Sequence, residues 1–232
     1  MRAFPYLFSA FLLLVFAFPV EAQHHVGVIA GLNFADLGTK TAEGGVVETV
    51  PRTKFAIGGV FELWLRENVY LHIEPKYLQK GGKLIQEDPI PDLDFKFSFV
   101  EVPLFVKLAF GENIRRYAFF GPSFGFLLTA EVESKYEPLI YTADVKDITE
   151  KVDFCLGMGT GISFPLGGGS IFIDGRYSAG MTDLNKGGTV EFKSGDAVIV
   201  EEISRSDRIS TKGFQIVLGY TFPIGGRKLV TE

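Results

Sequence analysis

The sequence predicts an all-β fold, an eight-stranded antiparallel up-and-down transmembrane β-barrel that follows a cleaved signal peptide. Three features predict it. Eight segments alternate between an uncharged apolar phase and a mixed phase, their connections alternate short and long, and aromatic residues gather at both ends of the apolar stretches.

The first 22 residues stand apart from the fold. Arg2 supplies a positive start, Leu7 to Phe18 an apolar run, and Val20-Glu21-Ala22 a small-residue cleavage site before Gln23. The run is shorter than the roughly 20 apolar residues a spanning helix needs. Residues 1–22 therefore read as an export signal and 23–232 as one outer-membrane barrel domain.

Alternation starts immediately afterwards. Val26, Val28, Ala30, Leu32 and Phe34 share one phase, opposite Gly27, Gly31 and Asn33. The second segment sets Phe55, Ile57, Phe61, Leu63 and Leu65 against Ala56, Gly58, Glu62 and Trp64. The third sets Val69, Leu71, Ile73, Pro75 and Tyr77 against Tyr70, His72, Glu74 and Lys76. Segments four and five form a hairpin about Gly111-Glu112-Asn113. Val100, Val102, Leu104, Val106, Leu108 and Phe110 oppose Glu101, Pro103, Phe105, Lys107 and Ala109; then Phe120, Pro122, Phe124, Phe126 and Leu128 oppose Gly121, Ser123, Gly125 and Leu127. In the sixth, Phe154, Leu156, Met158, Ile162 and Phe164 face away from Asp153, Cys155, Gly157, Gly159, Gly161 and Ser163. The seventh pits Ile171, Ile173, Tyr177 and Met181 against Asp174, Arg176 and Ser178. The eighth pits Phe214, Ile216, Leu218, Tyr220 and Phe222 against Gln215, Gly219 and Thr221.

None of these apolar-phase residues is Asp, Glu, Lys or Arg, although such residues make up 22% of the chain. The opposite phase carries Glu62, Glu74, Lys76, Glu101, Lys107, Glu131, Asp153, Asp174 and Arg176. An uncharged face suits hydrocarbon, and charges inside a narrow barrel are tolerable only when paired. With His72, these residues form the predicted lumen charge network. Because eight strands enclose little more than side chains, the network plugs the lumen.

Connections after the second, fourth and sixth segments are short: Arg66-Glu67-Asn68, Gly111 to Arg116 and Pro165 to Ser170. The others span Ala35 to Lys54, Gly81 to Asp94, Glu133 to Lys151 and Asp183 to Lys212. Outer-membrane barrels have short periplasmic turns and long outer loops, so this alternation sets the orientation. The last loop holds an extra hairpin, Thr189 to Lys193 and Ala197 to Glu201 about Ser194-Gly195-Asp196, expected to extend the seventh and eighth strands. Along the up-down path Phe34, Phe55, Tyr77, Phe154, Tyr177 and Phe214 ring the outer rim, and Phe110, Phe120, Phe164, Tyr220 and Phe222 the inner one.

Several motifs carry a resemblance. They are Glu74-Pro75-Lys76-Tyr77-Leu78-Gln79-Lys80-Gly81, Val100-Glu101-Val102-Pro103-Leu104 with Lys107, Phe120-Gly121-Pro122-Ser123, Gly157-Met158-Gly159-Thr160-Gly161, Gly175-Arg176-Tyr177-Ser178 and Gly219-Tyr220-Thr221-Phe222. Together they resemble the PorT-like outer-membrane β-barrel proteins, also called porin family. The resemblance implies an eight-stranded barrel without a shared catalytic activity, and the member that names the family assists a protein-secretion system. In one respect the chain departs from barrel habit: the basic tail Arg227 to Glu232 follows Phe222, so the terminal aromatic read by the barrel-assembly machinery is internal.

Composition narrows the rest. A formal charge of −5 disfavours nucleic acid as a partner, and Cys155, the single cysteine, allows no internal disulfide. The 23 Phe and 27 Gly residues fit aromatic side chains facing lipid and glycines making room inside. Gly121-Pro122-Ser123-Phe124-Gly125 matches a nucleophile-elbow pattern, but no helix follows it. Gly157, Gly159 and Gly161 lie within a strand, where they leave space for Phe172 or Tyr70 rather than cradling a phosphate. His24-His25 as a metal pair and Asp92-x-Asp94 as part of a calcium loop lack supporting ligand spacing. No catalytic residue, cofactor or metal is expected.

These readings converge on a non-enzymatic protein of the outer membrane of a Gram-negative-type cell. Its expected partners are outer-membrane lipid, the assembly machinery and an envelope protein met through the outer loops. The expected roles are envelope structure, adhesion or assembly of a membrane complex, including a secretion-related one. The alternatives are a soluble lipocalin-like barrel holding an apolar ligand, with the opposite phase outward, and a narrow pore.

Overall fold

The computed structural model describes residues 24–40, 45, 49–85, 92–136, 139–195 and 197–224. The expected export signal and the basic tail lie outside the described residues. Among the described residues, twelve antiparallel strands form one sheet: β1 (His24–Lys40), β2 (Thr49–Arg66), β3 (Val69–Ile73), β4 (Lys76–Leu84), β5 (Leu93–Phe110), β6 (Arg115–Tyr136), β7 (Leu139–Asp144), β8 (Val152–Leu166), β9 (Gly169–Gly180), β10 (Gly188–Ser194), β11 (Ala197–Ile203) and β12 (Arg208–Ile224).

Eight positions of that sheet close into a ring. β12 pairs with β1 along its whole length, and the ladder runs on through β2, β5, β6, β8 and β9 back to β12. The remaining position is shared. β3 and β4 both lie between β2 and β5, as two halves of one strand broken at Glu74-Pro75. Pro75 has no N–H to donate, yet its carbonyl still accepts from Gly59 N at 3.0 Å, so direction and phase pass through the break. Short turns close one end, at Glu67-Asn68 with Asn68 at φ 61°, at 111–114 and at Gly167-Gly168.

The predicted phases settle which face is inside. Phe120 is 60% exposed and Ile216 40%, whereas Glu101 and Arg176 are 2% and 3% exposed. The oily phase points outward and the ionised phase inward, the reverse of a soluble lipocalin-like barrel. Ring contacts follow the predicted rows, with Phe34 on Phe214 at 6.4 Å and Phe55 on Tyr77 at 5.6 Å at one end, and Tyr220 on Phe222 at 4.7 Å at the other.

Past the membrane-sized band the sheet continues at the long-loop end. Much of what reads as loop is strand: β6 outruns β8, β7 folds back on it, Lys193 of β10 pairs with Thr142 of β7, and β11 forms the free edge. The extra hairpin forms at the predicted place, but it continues β6 and β7 rather than the seventh and eighth ring strands. Its inner face, Val190 and Phe192, packs with Phe95, Phe97, Phe99, Val132 and Leu184 into an apolar plug above the ring.

A second apolar cluster fills the short-turn half, with Phe105, Tyr117, Phe119 and Phe172 at its centre. The β8 glycines make that cluster possible. A Cβ on Gly161 would lie 2.5 Å from the Tyr117 ring and one on Gly159 2.4 Å from Phe119, while Phe172 fills the space over Gly219. The bulky partners of the β8 glycines are thus Tyr117 and Phe119 of β6 and, at Gly157, Phe105 of β5, and not Phe172 or Tyr70. Gly161→Val is expected to destabilise the folded barrel by about 1–3 kcal/mol through overpacking, read from urea unfolding in phosphatidylcholine vesicles.

Candidate functional site: the lumen charge column

Period two carries one side chain in two to the axis, so each ring strand can deliver polar groups to a shared interior. β2 delivers Glu62, β3 His72, the β3–β4 break Glu74, β4 Lys76 and Lys80, β5 Glu101 and Lys107, β8 Asp153, β9 Asp174 and Arg176, and β12 Thr211 and Gln215. All are buried.

They form one continuous column. Near the short-turn end Lys107 donates to Glu62 and stands 3.8 Å over the Tyr117 ring. Glu62 Oε1 lies 2.9 Å from His72 Nδ1, and His72 Nε2 lies 2.7 Å from Glu74 Oε1. Arg176 grips Glu74 with two nitrogens and donates from Nε and Nη2 to Asp174 at 2.8 Å each; Tyr117 donates to Asp174 at 3.2 Å. Lys76 stands 3.6 Å from both Glu74 and Glu101 and donates to Gln215 at 3.2 Å. Lys80 then meets Glu101 at 2.7 Å and Asp153 at 2.9 Å, and Thr211 donates to Asp153 at 2.7 Å. The column ends under Phe99, whose ring centroid lies 5.2 Å from the Lys80 ammonium.

Aromatic rings hold its middle in place. His72 lies nearly parallel to Phe105 and Phe119, and Arg176 stacks 5.0 Å over Phe119. Both ring nitrogens of His72 meet carboxylate oxygens, and a neutral imidazole has only one N–H. The Glu62-His72-Glu74 triplet therefore holds one additional proton. With it, the buried carboxylates Glu62, Glu74, Glu101, Asp153 and Asp174 are balanced by Lys76, Lys80, Lys107, Arg176 and that proton, so the column is neutral.

Nine of the ten predicted network residues meet here. Glu131 does not. It is exposed on the outside of β6, because Ser98 pairs with Thr129 and Phe99 with Leu127, leaving Leu128 as an extra residue that reverses the phase. Val132 takes the inward position instead. Lys80 was not foreseen, although the phase of Lys76 and Leu78 carries straight to it.

The other candidates disperse. Ser123 is buried in an uninterrupted strand, so no nucleophile elbow exists. Asp94 is paired with Arg52 and Asp92 with Lys83, while His24 accepts from Trp64 N and His25 faces Glu62. Among the described residues no group of His, Cys, Asp and Glu has metal-binding geometry.

A closed antiparallel ring, oily outside and ionic within, defines an integral membrane barrel. The chain belongs to the family described as outer membrane protein beta-barrel domain, whose model matches residues 21–186, and it is a protein of the Gram-negative outer membrane. Among solved structures it is similar to OprG of Pseudomonas aeruginosa, at TM-score 0.50 and 7% identity over 88% of this chain and 97% of that one. It is also similar to the attachment invasion locus protein Ail of Yersinia pestis, at TM-score 0.41 and 13% identity over 86% and 99%. Neisserial surface protein A matches at TM-score 0.40 and 11% identity over 87% and 97%. None of the curated proteins matches the sequence.

Proposed function

We propose that this chain is a non-enzymatic, eight-stranded transmembrane barrel with a closed lumen, which acts through the sheet it raises beyond the outer rim. One observation carries the reading: the interior is filled from end to end, by the ion column below and by the apolar plug above. Passage of solute would require breaking several buried ion pairs at once, so work is left to the exterior. The PorT-like motifs, including Glu74-Pro75-Lys76 at the strand break and Arg176 in the column, support that branch of the family.

At the exterior, β11 is the element best suited to a partner. Val198, Ile199 and Val200 are exposed on both faces, and among the described residues no strand pairs with the outer ladder of β11. An extended segment of another envelope protein can add to such an edge through main-chain hydrogen bonds. This supports complex assembly over a purely passive envelope role. Crosslinking in intact cells from a photoreactive residue at Val200 is expected to capture one defined envelope protein, whereas the same residue at Leu218 captures none. Single-channel recording in planar bilayers is expected to show no steady conductance; a regular open state would overturn the closed lumen.

A further inference from the structure

We propose that the short-turn mouth of the barrel is a proton port: the additional proton of the Glu62-His72-Glu74 triplet exchanges with the periplasmic side alone, and Glu62 is the group that hands it over. The inference rests on the closed lumen argued above and gives that lumen a direction. At this end, which faces the periplasm in outer-membrane barrels, all eight ring positions lend a side chain to a polar cup of about 370 Å3. Glu62 and Lys107 reach it from the column. Hydroxyls of Ser163, Ser170 and Thr221 line it, and within its wall Arg115 donates to the Tyr70 hydroxyl at 2.7 Å.

Two features place water against the column here. Glu62 is the most exposed ionisable group of the column, at 7%, against 1% for His72 and 0% for Glu74. In the same wall His25 Nδ1 is buried, stands 3.8 Å from Glu62 Oε2, and meets no hydrogen-bonding atom among the described residues. Buried polar atoms that the protein leaves without a partner are served by water, and this cup is polar enough to hold it. The long-loop end offers no such contact. Above Lys80 stand Phe95, Phe97, Phe99, Val132 and Leu184, which give water nothing to bond.

The hand-over is short. The Nδ1 proton of His72 passes to Glu62 Oε1 across 2.9 Å, and from that carboxyl group to a water of the cup. The imidazole is left neutral, with its remaining N–H toward Glu74 Oε1 at 2.7 Å, and uptake of a proton reverses the path. Lys107 and His25 face Glu62, Arg176 and Lys76 face Glu74, and Asp174 shares Arg176, while Phe105 and Phe119 lie against the His72 ring. Of these groups only Glu62 both bonds the ring and lines the cup. Each proton lost leaves one uncompensated negative charge, so the charge of the column follows the pH of the inner side.

The test uses the full mature chain, with isotope-labelled histidine, in phosphatidylcholine vesicles. Nuclear magnetic resonance gives the rate at which water protons replace those on the His72 ring, whose signals are assigned by their loss in His72→Gln. Thr221→Leu and Ser163→Leu each fill the cup, and either alone is expected to slow the exchange roughly ten-fold or more, because it then waits on local opening of the barrel. Thr49→Leu, in the hollow of about 350 Å3 at the outer rim, should leave the rate unchanged. Parent-like rates in both filled-cup variants overturn the port, as does equal slowing by Thr49→Leu. So does a parent in which the His72 protons exchange as slowly as the amide of the fully buried Val217. Steady conductance in planar bilayers is a separate reading, and would be failure of the closed lumen instead.

Discussion

Replacing Arg176 with Met is expected to destabilise the barrel by about 3–5 kcal/mol, because it leaves the buried Asp174 without a cation and takes the bidentate partner from Glu74, which keeps only His72 and Lys76. Arg176 is the shared partner of Glu74 and Asp174, and it has no exposed route by which water could replace it. The loss should show as a lower urea midpoint, followed by the fluorescence of Trp64, the single tryptophan, in lipid vesicles. A second variant separates charge from packing. Adding Asp174→Asn to Arg176→Met removes the carboxylate left without a cation and restores the balance of charge, so much of the stability should return. If the double variant is no more stable than Arg176→Met alone, the cost lies in lost ring stacking and the column is not an electrostatic unit.

Most of that column was legible because strand phase is arithmetic: once Lys76 or Lys107 is assigned to the axis, every second residue follows. Arithmetic fails where a strand gains a residue. Leu128 is such an insertion, and nothing in Phe126-Leu127-Leu128-Thr129 distinguishes a bulge from regular alternation, since the residues flanking it are apolar either way. Glu131 was carried to the wrong side for that reason alone. Lys80 was missed for a different one, the reading of Gly81 as the start of a loop. Gly81 has φ +136° but remains in β4, and a Cβ there would lie 2.0 Å from the Phe95 carbonyl oxygen. The glycine serves close strand approach, not chain reversal.

Strand number was less legible than strand direction. Pro75 breaks the ladder without turning the chain, so one expected strand becomes two in the same ring position. The β10–β11 hairpin could be read from Ser194-Gly195-Asp196 between branched residues, and Gly195 supplies the positive φ of its turn. Its neighbour β7 could not. Leu139-Ile140-Tyr141 has no polar alternation: Leu139 and Ile140 are 48% and 54% exposed, and the strand is held by Ala143 in the plug and by β6 and β10 along its edges. Where burial is set by elements distant in sequence, periodicity carries no signal.

The lipid-facing phase makes the other large prediction. Leu218 lies midway along the exposed run from Phe214 to Phe222 and is 52% exposed, so it sits near the hydrocarbon midplane. Leu218→Arg should cost about 2–4 kcal/mol in vesicles, whereas Phe222→Arg, close to the short-turn rim, should cost only about 0–1 kcal/mol. Detergent supplies the decisive contrast. A micelle adapts around one charged side chain, so Leu218→Arg should fold there nearly as well as the parent, while Arg176→Met should be impaired in both media because its defect is internal. Equal costs at Leu218 and Phe222 would mean that no depth gradient of hydrocarbon surrounds β12, and a large cost for Leu218→Arg in micelles would place that side chain against protein.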